Sequence, residues 1–151
     1  GLTFEVEDAY DHITYLGRGE HENYIDRNQS GKIGIYETTP ERMFHYYVVP
    51  QSTGNRTDVR WMKLTDDAGK GCWVESDSPF QFSTIAFPDV MVEKARHINE
   101  LERNGKITVH LDAKQAGVGT ATCGPGVQSQ YLVPLTKQTF DFIIYPVKNR
   151  E

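Results

Sequence analysis

Three groups of residues in this sequence have the types that chemistry needs. The first is a run of acids between two arginines: Glu20, Glu22 and Asp26, bracketed by Arg18 and Arg27. Two carboxylates across a defined gap can serve a glycosidase as acid and as nucleophile or base. Within one polar loop the same acids more often act as solvated charges or as acceptors for loop hydrogen bonds, which is the favoured reading. The second group is Arg56, Asp58 and Arg60, alternate residues of an extended run that fall by period on one strand face. Such a row makes either an ion network or a polar face for a sugar. Trp61, Trp73 and the tyrosines are aromatic partners for stacking or for packing. The third is residues 111–127, where Gly117, Gly119, Gly124, Pro125 and Gly126 are interleaved with the small side chains Thr120, Ala121, Thr122 and Cys123. Glycine admits positive φ and proline fixes φ, so this is a shaped loop, either a functional one or a tight corner between strands.

Other chemistries find no support. There is no HExxH helix, P-loop or GxSxG elbow. His12, His21, His45, His97 and His110 lie on different expected elements, and no pair has ligand spacing, so no metal site is assigned. Cys72 and Cys123 form no CxxC; they stand as two free thiols or one disulfide. Asn55-Arg56-Thr57 matches a glycosylation sequon, a pattern too common to carry weight.

The elements that must position these residues are mostly strands. Leu2, Phe4 and Val6 alternate with polar neighbours, and residues 13–16 give a second strand before the long polar loop at 17–31. Ile33 and Ile35 begin a third. Thr38, Thr39, Pro40 and Glu41 have the types that cap one helical turn. Residues 44–49 are β-branched and aromatic, hence strand or extended. Residues 56–65 are the longest alternating run, with Val59 and Trp61 on one face and Arg60, Met62 and Leu64 on the other. A hairpin at 66–70 leads to a return strand at 72–75, and residues 80–85 make another. One short helix is expected over 88–96, starting at Pro88. Ile107, Val109 and Leu111 lead into the glycine-rich loop. Residues 131–133 and 139–147 close the chain, the last apolar on both faces and so expected at the centre of the sheet. About nine strands and one short helix predict an all-β, antiparallel β-sandwich.

The chain has 151 residues, 38% hydrophobic and 25% charged, with a net charge of -5, which suits one folded domain over residues 1–151. Nothing builds a basic stripe, so nucleic acid is disfavoured as a partner. No apolar run approaches the ~20 residues that span a bilayer, so no membrane partner is expected. The chain opens on Gly1-Leu2-Thr3 and enters a strand pattern at once, which reads as a piece cut from a longer protein.

Gly17-Arg18-Gly19-Glu20-His21-Glu22-Asn23-Tyr24-Ile25-Asp26-Arg27 resembles the GRGPxENYxDR segment of bacterial β-galactosidases of glycoside hydrolase family two. Gly54-Asn55-Arg56-Thr57-Asp58-Val59-Arg60-Trp61 is similar to that family's NRTDVRW segment, and residues 111–127 to its LDxxQxGxG…GPxV segment. The resemblance spans nearly the whole chain and concerns the C-terminal, small-chain domain. It implies part of a galactose-mutarotase-like supersandwich at the C-terminal end of a multidomain retaining glycosidase that removes terminal β-galactose. The implied catalytic glutamates and magnesium ligands belong to an upstream TIM-barrel domain, so no catalytic residue, metal or cofactor is assigned to this chain. The implied partners are a galactoside, the upstream domain and further copies of the parent, in the bacterial cytoplasm or periplasm.

The resemblance also implies that the 115–126 loop reaches into the active site, making Gln115, Thr120, Thr122 and Cys123 the expected substrate-contacting residues. In the best-known members a tryptophan that stacks on the sugar stands where Cys123 stands here, and a thiol has no aromatic face. The alternative is a stand-alone, lectin-like carbohydrate-binding module using Arg56, Asp58 and Arg60. A mutarotase-like reading needs His110 beside a carboxylate.

Overall fold

The computed structural model describes residues 1–119 and 124–148. Seven strands form one antiparallel sheet: β1 (Leu2–Glu7), β2 (His12–Gly19), β3 (Lys32–Thr38), β4 (Arg56–Thr65), β5 (Gly71–Ile85), β6 (Lys106–Asp112) and β7 (Ile143–Val147). The strand order is β1-β6-β5-β4-β2-β3, with β7 attached to β5. Two short helices accompany them, α1 (Pro40–Met43) and α2 (Asp89–Lys94). The fold is therefore the expected all-β one, an open, sandwich-like sheet.

The long strand β5 bends this sheet. Its first part, from Gly71 to Glu75, lies between β4 and β7, and its second part, from Gln81 to Ile85, pairs with β6. Between them Asp77, Ser78 and Pro79 are exposed and out of register with β4. Pro79 has no N–H to give a ladder, so the strand bulges there. The sequence reading took these as two strands; they are one strand with a bend. The bend lets Val74 and Phe80 both enter the core. That core gathers Ile13 and Tyr15 from β2, Met62 and Leu64 from β4, Phe82 from β5, and Val109 and Leu111 from β6. The aromatic edges of Tyr15 and Phe82 meet at 5.1 Å between ring centroids. On the opposite side of β4 and β5, Trp61 stacks on Trp73 at 4.4 Å with 19° between the rings.

Three expectations need correction. Residues 139–147 do not form a central strand: β7 covers five residues and pairs with β5 alone, and Ile143 is 51% exposed. Pro146 explains this, because a proline cannot donate to a ladder and is tolerated on edges. Residues 131–133 are not a strand; a 3-10 turn covers Ser129–Tyr131 instead. Val59 and Trp61 do not share a face, because the register slips on both sides of Val59: β5 carries extra residues between its Phe80 and Glu75 pairings, and β4 carries one extra residue, at Asp58 with φ 54°, between its pairings with Phe82 and Phe80. That bulge turns Val59 inward beside Met62.

The helices are local. Thr39 caps α1 by accepting from Arg42 N–H at 3.3 Å. The helix expected over 88–96 forms as α2, with Pro88 at its N-cap. α1 makes two helices where one was expected. Phe44, Ile85, Phe87 and Val92 form a second apolar cluster beneath them.

Candidate functional site

The polar loop after β2 is fastened from below by Asn23, which is fully buried. Its Oδ1 accepts from the Thr57 N–H at 3.0 Å and from Thr57 Oγ1 at 2.5 Å. Its Nδ2 donates to the Arg18 and His21 carbonyls at 3.2 and 2.9 Å. Its own carbonyl accepts from Asn55 Nδ2 at 3.0 Å, and Asn55 Nδ2 also donates to Gln81 Oε1 at 2.8 Å. An amide has four hydrogen-bonding positions, and Asn23 fills them with backbone and hydroxyl groups from two segments.

Glu22 works beside it. Oε2 accepts from the Thr53 hydroxyl and from Gly54 N–H at 2.7 Å, and Oε1 from Tyr47 OH at 2.8 Å and Arg27 Nη2 at 2.6 Å. Burial pushes the Glu22 carboxyl up, but these bonds and the Arg27 charge more than offset it and hold the group below its ordinary value. Arg27 also lies over the Tyr24 ring at 5.6 Å. Burial, with the Glu22 charge nearby, raises the Tyr24 phenol.

Asp26 points the other way, at the glycine-rich loop. Its Oδ1 accepts from Val118 N–H at 3.1 Å and its Oδ2 from Gly119 N–H at 2.8 Å. Gly117 lies so close that a Cβ there would meet the Asp26 carboxylate at 2.5 Å. Gly119 holds φ at 60°, where an added Cβ would strike Gly126 and Val127. The other side of the loop is tied by Gly117 N–H to the Tyr131 carbonyl at 2.9 Å. Asp26, Arg27, Gly119, Pro125, Gly126 and Tyr131 line a cavity of about 270 Å³ under the loop.

The candidate residues are thus distributed as follows. Glu20 is exposed, and Glu22 and Asp26 are committed to holding backbone and hydroxyl groups, so the three acids do not act as a facing pair. Gln115 is half-buried and donates to Asp112 Oδ2 at 3.0 Å. Thr120, Thr122 and Cys123 lie outside the described residues. Arg56, Asp58 and Arg60 do not share a face, because the bulge at Asp58 breaks the alternation. Arg56 points into the core and donates to Tyr15 OH at 3.1 Å. Asp58 pairs with Arg18 at 2.5 Å. Arg60 is exposed and donates to the Asp58 carbonyl. His110 Nε2 lies 3.2 Å from Asp89 Oδ1 at the surface. Among the described residues no group of three or more His, Cys, Asp or Glu side chains is arranged to hold a metal ion, and no helix is long and apolar enough to cross a membrane.

Reading the sequence did not find the partners of Glu22. Tyr47, Thr53 and Gly54 are 25 to 32 positions away, and nothing local marks them. The glycines of the loop were visible; the carboxylate they approach, 92 positions away, was not.

Comparison with known proteins places these motifs in context. The family described as Beta galactosidase small chain matches residues 1–144. The Priestia megaterium "Beta-galactosidase" is 33% identical over 119 residues, 79% of this chain and 12% of that protein. "Beta-galactosidase BgaC" of Bifidobacterium adolescentis is 34% identical over 139 residues, 89% of this chain and 13% of that protein. The "Beta-galactosidase" of the yeast Kluyveromyces lactis is 32% identical over 143 residues, 94% of this chain and 14% of that protein. This chain therefore spans a small part of the length of the curated relatives it matches.

Proposed function

We propose, on the premise that the chain belongs to the beta-galactosidase small-chain family, that it is an accessory segment of a β-galactosidase and that its 115–126 loop completes the sugar pocket of an upstream catalytic domain. The parent hydrolyses terminal β-galactosyl residues with retention, and its catalytic glutamates and magnesium ligands lie upstream. This chain alone is inactive. Gln115, Thr120, Thr122 and Cys123 are the residues offered to the substrate.

What carries the reading is the grip of Asp26 on Val118 and Gly119. A carboxylate accepting two N–H bonds is a charge-assisted clamp, stronger than two neutral bonds. It fixes where the loop leaves the body of the domain, and a reacting centre is sensitive to misplacement of the groups around it by about 1 Å. The Asn23–Thr57 contact and this clamp join the three motif segments into one unit.

The test is kinetic. In the full-length enzyme, deleting residues 119–124, or changing Asp26→Ala, should lower kcat on a chromogenic β-galactoside by roughly 10- to 100-fold while the protein stays folded. Unchanged kcat/KM in both variants would sink the reading.

A further inference from the structure

Arg56 is 2% exposed, yet no carboxylate among the described residues lies within ion-pair distance of it. Buried charges are ordinarily paired, because removing an ion from water is costly. Arg56 is instead held rigid by neutral groups. Nε donates to Tyr15 OH at 3.1 Å, and Nη1 to the carbonyls of Gly54 at 2.9 Å and Asn55 at 3.3 Å. Nη2 makes none of these bonds. Arg56 forms part of the wall of a cavity of about 530 Å³ shared with Glu20, Arg42, Phe44, His45 and Tyr47.

The charges in that wall are of both signs. Arg27 and Glu22 neutralise each other at 2.6 Å. This leaves the Arg56 and Arg42 guanidinium groups as donors and the Glu20 carboxylate as an acceptor, since among the described residues no ion pair is formed by any of them. Glu20 and Arg56 act on the same phenol. Burial raises the Tyr15 hydroxyl, Arg56 pulls it down, and the Glu20 charge adds a smaller upward push. The apolar part of the wall is aromatic, with the His45 and Tyr47 rings edge to face at 4.3 Å.

An anion entering here meets Glu20, and a cation meets the guanidinium groups of Arg56 and Arg42, which no carboxylate among the described residues neutralises. A neutral molecule with adjacent hydroxyls suits the wall better, because each hydroxyl both donates and accepts. We infer that this cavity is a carbohydrate-binding site that takes a single neutral hexose, held between the donors of Arg56 and Arg42 and the carboxylate of Glu20, against the His45–Tyr47 wall. The prearranged Arg56 loses little freedom on binding, which favours a site of this kind. Galactose as first probe rests on the function proposed above; the cavity does not.

Amide chemical shifts of this chain, titrated with galactose, glucose and inorganic phosphate, decide the matter. Galactose should produce saturable shifts at residues 20–22, 42–47 and 54–56 with a Kd on the order of millimolar. Glu20→Gln and Arg42→Gln, both at exposed positions that leave the core intact, should each weaken binding by roughly tenfold. Glucose binding equally well would keep the site and drop only the preference for galactose. No shifts with either sugar at roughly 200 mM would overturn the proposal. So would saturation by phosphate alone, which would make this an anion site. Shifts confined to residues 115–119 would also overturn it while leaving the loop reading intact. Pocket shifts combined with unchanged kinetics in the loop variants would do the reverse.

Discussion

Residues 20–31 and residues 113–142 both leave the sheet as long irregular connections, and they are held in opposite ways. The first turns its polar side chains inward. Asn23 and Glu22 hydrogen-bond to residues 47–57, and Tyr24 is buried behind them. The described residues of the second are fastened chiefly through Asp26, Tyr131 and the packing of Phe140 and Phe142 on the core. Between those points Leu132 and Leu135 stand in solvent. The difference shows that backbone irregularity alone does not mark a mobile or a functional segment. Where the buried polar groups are satisfied from within, a loop is as much a structural part as a strand. Where apolar side chains such as Leu132 and Leu135 stay exposed, the segment lacks that internal support.

The largest effect should come from emptying the first anchor. Asn23→Ala removes four side-chain hydrogen bonds from a buried position and leaves Thr57 N–H without its acceptor. Urea unfolding should show a loss on the order of 3 kcal/mol or more. A loss under about 1 kcal/mol would mean that the two connections are not held differently after all.

Glu22 gives an intermediate effect with a pH signature. Its folded carboxyl titrates below the ordinary value of 4.5. A depressed folded pKa contributes stability that is fully present above the unfolded value and is lost as pH falls through the folded one. The chain should therefore lose stability as pH drops below 4.5, and Glu22→Gln should flatten that part of the curve. At neutral pH the same variant should be less stable by roughly 1–2 kcal/mol. Chemical unfolding at several pH values checks both statements, and an unchanged acid slope would remove Glu22 from the account.

The smallest effect should be at the second connection. Leu135 is fully exposed, so Leu135→Ser should shift the stability of this chain by less than about 0.5 kcal/mol. A larger loss on unfolding would show that this segment carries its own weight.

The strands were legible wherever one face is buried, because alternation is then enforced by the core. Ile13 and Tyr15, and Ile107, Val109 and Leu111, are inward as their period requires. Alternation misled where the backbone slips. Asp58, at positive φ, opens a bulge that turns Val59 inward out of phase with Arg56, Met62 and Leu64, and an aspartate at that angle has no reliable mark in sequence. Pro146 was a mark of an edge strand that the apolar pattern around it outweighed. At the site, the glycines of residues 117–126 announced a shaped loop. Its clamp remained hidden because hydrogen bonds between segments 92 positions apart leave no periodic trace. By period Arg56 belongs to a row with Asp58 and Arg60, an ion network or a polar face for a sugar. Its true place under the loop follows from the bulge and from Tyr15, on another strand.

The stacking of Trp61 on Trp73 carries a consequence for anyone who follows this chain by light. These are its two tryptophans, and they lie face to face on β4 and β5. Near-parallel indoles at 4.4 Å couple their electronic transitions, so the tryptophan fluorescence and the indole part of the near-ultraviolet dichroism are both signatures of one hairpin. A melting curve recorded by fluorescence reports when that hairpin opens. The Asn23–Asp26 anchor holds no indole, so tryptophan emission does not follow its release; the buried Tyr24 within it is the group to watch, through the tyrosine part of the near-ultraviolet dichroism.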